Sequence, residues 1–407
     1  MKKTKVAKKR SGFGRFGKYF ARLSRYTAAQ LFNYALNRAE ARSGRSHLFS
    51  YPTFVDIVPT KLCNLNCVFC IEYETAGSKF LTRQNFRRIL EKLPFSPAKI
   101  AFASGGEPFL NKNLPEFLAI CKRRKISNLI TTNGMLLDAE IIRAIVRDSR
   151  VAEVRFSFDG ATRATVERIR RGVSYDRVVS NMVMLTEEKK RCDMASLHTA
   201  IQCAIMKSNI RELPELVQRA KQWGIEQVIV SYVNFTDRLD GRESLFYHPQ
   251  LAEQVFAESE RVARSTGIRL KLPPRLTPEQ ANGTDMPCHL PWTYLKIDPD
   301  GSVRFCYKAW ENPIGNIFAV ENFRQLWNNK HYRLLRKTVN SNKPYFKYCS
   351  TCTVRKGKNY KSAHFHSSGN YEFDSDFEAM YDIKIPQPEK QGERTLRGIG
   401  AGTDYKN

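Results

Sequence analysis

The stretch 51-YPTFVDIVPTKLCNLNCVFC-70 runs a short apolar segment, residues 54–59, directly into three cysteines within eight residues. The segment is apolar and β-branched, which reads as a buried strand. Cys63, Cys67 and Cys70 follow the spacing Cys-x3-Cys-x2-Cys, and a loop this short can wrap one soft metal centre with three thiolates. Iron–sulfur clusters normally take four protein ligands, so three leave one iron open. An open position on a metal centre is a chemical site, by the logic that separates catalytic from structural zinc. The alternative is a zinc site completed by a distant residue, although zinc ribbons pair Cys-x2-Cys with Cys-x2-Cys.

Working outward, strand patterns recur at 54–59, 99–104, 128–133, 151–159, 197–206 and 227–233, with helical patterns at 82–92, 114–124, 138–147, 175–190 and 210–223 between them. Six such units predict an α/β fold: a parallel sheet with helices outside it, either an incomplete barrel or a doubly wound sheet. In both, the active site forms at the C-terminal ends of the strands. The unusual residues fall there. The first strand runs into the cysteines, the second ends at Ser104 before Gly105-Gly106-Glu107-Pro108, the third ends in Thr132-Asn133-Gly134 and the fourth in Ser157-Phe158-Asp159-Gly160.

Three cysteines after a first strand and Gly-Gly-Glu-Pro after a second resemble the radical S-adenosylmethionine (SAM) enzymes, over roughly residues 51–235. The resemblance implies a partial (β/α)6 TIM-like barrel and a [4Fe–4S] cluster on Cys63, Cys67 and Cys70, with SAM chelating the fourth iron. It implies reductive cleavage of SAM to a 5′-deoxyadenosyl radical that abstracts hydrogen from substrate. By position, Phe69 packs near the adenine, and Gly105 and Gly106 let the backbone approach SAM. Glu107 accepts from the SAM ammonium, Ser157 and Asp159 meet its carboxylate or ribose, and Asn133 is a weaker contact. No catalytic side chain beyond this cluster is assigned.

Cys288 and Cys306 have 17 residues between them, with Gly301 inside that interval, and Cys349-Ser-Thr-Cys352 follows. Four thiols complete the shell of one cluster or one zinc. The spacing resembles the SPASM/twitch extension of radical SAM enzymes, a small α+β domain holding auxiliary [4Fe–4S] clusters. No cysteine follows Cys352, which implies the shorter form with one auxiliary cluster. With four protein ligands that cluster has no vacancy for substrate, so electron transfer is its expected role. Cys121, Cys192 and Cys203 read as buried structural residues, His364 and His366 as a turn or surface, and Trp292, Tyr294, Tyr307 and Trp310 as small-domain core.

The chain has 407 residues and a net charge of +27, and its ten cysteines are too sparse for a disulfide scaffold. No apolar run reaches the ~18 residues that span a bilayer, and no h-region follows the basic N-terminus, against a secretory signal. Residues 1–45 hold thirteen Lys/Arg and one acid, Glu40. Phe13, Phe16, Phe20 and Leu23 share helical spacing, with Arg15, Lys18, Arg22 and Arg25 around the other side. This arm either lies on an anionic membrane surface or docks on its own domain; no recognition motif points to nucleic acid.

The expected organisation is a basic extension (1–50), a radical SAM core (51–245), a helical linker (246–285), the small domain (286–369) and a flexible tail (370–407). The expected function is oxidation or rearrangement of a sugar-like small molecule in the cytoplasm, or at the inner face of the membrane, fed by a flavodoxin- or ferredoxin-type donor. A maturase acting on a ribosomal peptide is the alternative. The residues before the barrel are too few for the recognition module such maturases often carry, which counts against it. A non-catalytic metal-binding scaffold is opposed by the intact Glu107 and three-cysteine loop. Substrate contacts are expected from Lys207, residues 232–234 and the small domain.

Overall fold

The computed structural model describes residues 27–70, 80–93, 97–233, 238–273, 275, 287–306, 313–346, 349 and 352. The aromatic-basic pattern of residues 13–25, Asn234, Tyr307, Trp310, His364, His366 and the tail from 370 lie outside them.

Ten strands form one sheet: β1 (Phe54–Ile57), β3 (Lys99–Phe102), β4 (Ser127–Thr132), β5 (Val151–Ser157), β7 (His198–Ile205), β8 (Gln227–Tyr232), β9 (Arg269–Lys271), β10 (Tyr294–Ile297), β11 (Ser302–Arg304) and β12 (Gly315–Asn316). A separate two-stranded pair joins β2 (Asn66–Cys67) to β6 (Arg170–Arg171). The sheet order is β12-β11-β10-β1-β3-β4-β5-β7-β8-β9. From β10 to β9 every pairing is parallel, and only β10–β11 and β11–β12 are antiparallel.

The helices are α1 (Ala28–Arg42), α2 (Arg83–Lys92), α3 (Leu114–Arg123), α4 (Ala139–Arg147), α5 (Arg163–Ile169), α6 (Tyr175–Arg191), α7 (Leu213–Gln222), α8 (Pro249–Thr266), α9 (Leu290–Thr293), α10 (Phe323–Trp327) and α11 (Lys330–Thr338). From β1 to β9 each crossover advances one strand in the same direction. A doubly wound sheet would reverse at a switch point; this one winds one way and stays open, with β9 and β12 as its edges.

Local chemistry sets the helix starts. Thr82, Asp138, Thr162 and Ser174 each cap a helix by accepting a backbone N–H with the side chain. Phe86, Phe102 and Phe117 pack α2 and α3 onto β3, the Phe86 and Phe117 rings stacked at 4.3 Å. On β5 the faces alternate. Val154 and Phe156 are buried beneath the helices, while Glu153, Arg155 and Ser157 are half-buried on the opposite face. Parallel register sets His198, Ala200 and Gln202 beside those three.

Three parts of the expected organisation change. Residues 28–50 belong to the fold, because α1 binds the chain leading into β1: Asn33 Nδ2 donates to Tyr51 O at 3.1 Å, and Asn37 Nδ2 donates to Trp292 O at 2.7 Å. The segment read as a linker supplies α8 and then β9, which continues the sheet beside β8. The small domain is not a detached module either, since β10 pairs in parallel with β1. Buried Arg336 fastens it further, with Nη1 donating to Trp327 O at 2.8 Å and to Ser46 O at 3.1 Å beneath the Trp327 ring. No helix among the described residues is long and apolar enough to cross a membrane.

Candidate active site

The loop after β1 is clamped by the loop after β3. Gly106 N donates to Thr60 O and Glu107 N to Leu62 O, both at 2.8 Å. A Cβ on Gly106 would lie 1.7 Å from Leu62 O, so only glycine permits this approach. Gly105 has φ +86°, the left-handed region that glycine enters without strain. The Gly-Gly pair therefore holds the backbone just before Cys63.

Cys63 is exposed, Cys67 is buried in β2 and Cys70 is half-buried. Each has a local tether: Leu65 N donates to Cys63 Sγ at 3.4 Å, and Cys70 N donates to Cys67 O at 3.2 Å. Arg170, across the β2–β6 pair, brings Nη1 to 3.9 Å from Cys67 Sγ. Burial pushes the Cys63 thiol up and the Cys67 thiol to about 11, and the neighbouring sulfurs add to both shifts. Binding iron displaces those protons.

Glu107 lies buried at the rim. Its Oε1 accepts from Thr132 Oγ1 at 2.7 Å and Phe109 N at 3.3 Å, and its Oε2 from Asn133 N at 2.8 Å. Burial outweighs these bonds and raises the carboxyl to about 7. Asn133 bridges the third strand end to the cysteine loop, donating from Nδ2 to Asn64 Oδ1 at 2.8 Å.

At the fourth strand end the two residues separate. Ser157 is half-buried on the face turned from the helices, beside Gln202. Asp159 is fully buried: Oδ1 accepts from Ala204 N at 2.6 Å and Oδ2 lies 2.7 Å from Arg170 Nε. Phe69 packs on Ile169, Met206 and Val233, with the Arg170 guanidinium 5.8 Å from its ring centre. Lys207 continues from β7, its N–H donating to Glu243 O at 2.9 Å.

Sequence reading missed Arg170, which no spacing rule marks, and a buried network under the rim. Asp56 of β1 accepts from Ser104 Oγ and from Tyr294 OH, the latter at 3.0 Å, beside buried Lys296 on β10. Burial raises the Asp56 carboxyl despite these partners.

The second set comes from three stretches of the chain. Phe305 stacks on Phe346 at 5.2 Å, drawing Cys306 towards the segment that carries Cys349. Cys288 N donates to Asn340 Oδ1 at 2.8 Å. Gly301 (φ +83°) turns the β10–β11 hairpin where a Cβ would strike Phe318 and Asn316. Cys306 and Cys349 are buried, Cys288 and Cys352 half-buried, and none of the ten cysteines is in a disulfide. Both sets are all-thiol, the donor chemistry that iron–sulfur clusters take. Among the described residues no three His, Cys, Asp or Glu converge closely enough to hold a single metal ion. The third group of cysteines is structural in setting: Cys121 and Cys203 are buried, and Cys192 caps α6.

The radical SAM superfamily matches residues 57–201, and an iron–sulfur cluster-binding domain, SPASM, matches 288–353. The chain is 24% identical over 249 residues to Fe-coproporphyrin III synthase of Methanosarcina barkeri, covering 58% of this chain and 57% of that protein. It is 25% identical over 256 residues to PqqA peptide cyclase of Granulibacter bethesdensis, covering 61% and 66%. The antilisterial bacteriocin subtilosin biosynthesis protein AlbA of Bacillus subtilis is 24% identical over 349 residues, covering 82% and 74%. The chain thus spans about three-fifths of the first two relatives. In fold it is similar to Streptococcus suis SuiB bound to S-adenosylmethionine, with a TM-score of 0.61 at 18% identity, covering 84% of this chain and 82% of that one. With the cysteine loop and the glycine clamp on the same rim, the chain belongs to the radical SAM superfamily and carries a SPASM iron–sulfur cluster-binding domain.

Proposed function

We propose that this enzyme modifies a peptide, in place of the sugar-like small molecule first expected. The observation that carries this is the similarity to the bacteriocin biosynthesis protein AlbA, which runs through 82% of the chain and so beyond the barrel. PqqA peptide cyclase points the same way. The open sheet supports it physically, since edges β9 and β12 do not meet and leave the polar face of Arg155, Ser157 and Gln202 open to an extended chain.

In this reading Cys63, Cys67 and Cys70 hold the reactive cluster, and Cys288, Cys306, Cys349 and Cys352 one auxiliary cluster. When bound, cluster and SAM supply a 5′-deoxyadenosyl radical that takes hydrogen from substrate. Buried Glu107 would accept from the SAM ammonium, a charge-assisted bond, and Gly105–Gly106 would let the backbone approach it. Phe69 would lie beside the adenine, and Ser157 and Asn133 would offer polar groups to SAM. Asp159 holds Arg170 against Cys67. Electrons enter from a flavodoxin- or ferredoxin-type donor.

The test is anaerobic turnover of reconstituted enzyme with candidate precursor peptides and with sugars. Formation of 5′-deoxyadenosine in step with a mass change in a peptide is expected. Coupling only to a small molecule would overturn the reading.

A further inference from the structure

Helix α1 is built inside out. Its buried stripe is polar but for Ala41: Gln30, Asn33, Asn37 and Glu40, spaced as one helical face. Those side chains are consumed by backbone groups of the sheet's approach. Glu40 accepts from Phe49 N at 2.8 Å and Ser50 N at 3.1 Å, and Asn33 both donates to and accepts from Tyr51. The solvent side of the same helix carries Ala28, Phe32, Ala35 and Ala39, with Phe32 68% exposed and Tyr34 46% exposed beside it. A surface helix ordinarily has these faces the other way round.

Charge around the apolar stripe has one sign. Arg38, Arg42 and Arg45 are exposed, and the one acid of the first 45 residues, Glu40, points inward. Residues 1–26, which lead into α1, add ten Lys/Arg and no Asp or Glu. An apolar, aromatic-bearing face framed by positive charge alone complements a surface that is negatively charged outside and apolar beneath.

We propose that α1 docks this enzyme on an anionic membrane surface, with Phe32 and the alanine stripe at the acyl boundary and the arginines among the headgroups. The polar stripe pins α1 to the fold, so the enzyme is held as a body rather than by a tether alone. The occupant is a membrane rather than a partner protein, since positive charge flanks α1 on both sides in the sequence, ten Lys/Arg before it and Arg38, Arg42 and Arg45 at its end, with no exposed acid among them.

The test is co-sedimentation of the anaerobically reconstituted full chain with vesicles of phosphatidylcholine, alone or mixed with phosphatidylglycerol. Binding to the mixed vesicles, weakened by salt and weakened about ten-fold by Phe32→Ser, is the expected result. Phe32→Ser should keep wild-type thermal stability and SAM cleavage, because Phe32 lies outside both the core and the active site. Equal binding of Phe32→Ser and wild type would overturn the proposal, since the arm alone would then account for attachment. Equal binding to neutral vesicles would overturn it too. So would absence of vesicle binding together with a dimer that Phe32→Ser dissociates, which would make a second copy the occupant.

Discussion

Arg170 and Asp159 form a buried ion pair, Nε to Oδ2 at 2.7 Å, while another nitrogen of the same guanidinium reaches to 3.9 Å from the Cys67 sulfur. The pair joins the end of β5 to the β2–β6 ribbon that carries Cys67, so a carboxylate two residues beyond Ser157 positions a cation beside a cluster ligand. A buried charge left alone is costly, whereas apolar replacement of both partners is far cheaper. Arg170→Met should therefore destabilise the apoprotein by about 3–5 kcal/mol, and Asp159→Leu added to it should recover most of that loss. Denaturant unfolding of the three proteins checks this; equal loss in the single and double variants would show that the pair is not coupled.

Glu107 carries a pH dependence of the opposite sign to a salt-bridged carboxylate. Burial raises it from the model-peptide value of 4.5 to about 7. Its contribution to apoprotein stability is thus fully present below about pH 4.5 and is lost as pH rises through about 7, roughly 3 kcal/mol in all. Binding of the SAM ammonium needs the ionised form, so affinity should be about ten-fold weaker near pH 6 than near pH 8. Glu107→Gln should flatten the stability profile and remove the pH dependence of binding. Thermal melts of apoprotein and calorimetric titration of the cluster-loaded enzyme separate the two effects, and a flat wild-type stability profile between pH 4.5 and 7 would contradict them.

Most of the barrel was legible because its signals are local. Strands expected at 54–59, 99–104, 128–133, 151–159, 197–206 and 227–233 all form, with every end within two residues of the expected one, and Thr82, Asp138 and Ser174 start helices where the patterns begin. The direction of winding was not legible, since spacing says nothing about which neighbour a strand takes. Helix α1 was hidden for a different reason: Phe32 and the alanines at 28, 35 and 39 face outward while Gln30, Asn33, Asn37 and Glu40 face inward, so the usual rule for a core-facing stripe selects the wrong side. β9 lies in Arg-Leu-Lys, a largely exposed edge strand that exists through its pairing with β8, which its own composition does not announce. At the site, the cysteines and the Gly-Gly-Glu-Pro turn announce themselves by spacing. Arg170 and Asp56 do not, because their partners come from distant strands and only the fold brings them together.

Gly106 offers a test of the clamp. A methyl group there would occupy the position of Leu62 O, which is backbone and cannot swing aside. Gly106→Ala should push the loop after β1 away from the loop after β3, breaking the bonds from Gly106 N to Thr60 O and from Glu107 N to Leu62 O. The barrel core, built by Phe86, Phe102 and Phe117 further down, should survive. Circular dichroism should stay near wild type while iron bound at the first site falls several-fold. Full iron loading in Gly106→Ala would mean that the Cys63 loop tolerates a shift the structure does not show.

The second cysteine set can be separated from the first by the same logic of independent supports. Cys349 hangs from the Phe305–Phe346 stack, and none of the contacts described for Cys63, Cys67 or Cys70 passes through it. Replacing Cys349 and Cys352 together with Ala should therefore remove the auxiliary iron and leave the first cluster and the Glu107 pocket intact. Reductive SAM cleavage should remain measurable, while a net two-electron oxidation of substrate should be lost, because the electron left after hydrogen abstraction has no acceptor. Iron content should drop to about half, as expected for one cluster of two held by thiolates. Unchanged product formation in this variant would rule out the electron-accepting role and leave the second set a structural brace for the β10–β11 hairpin.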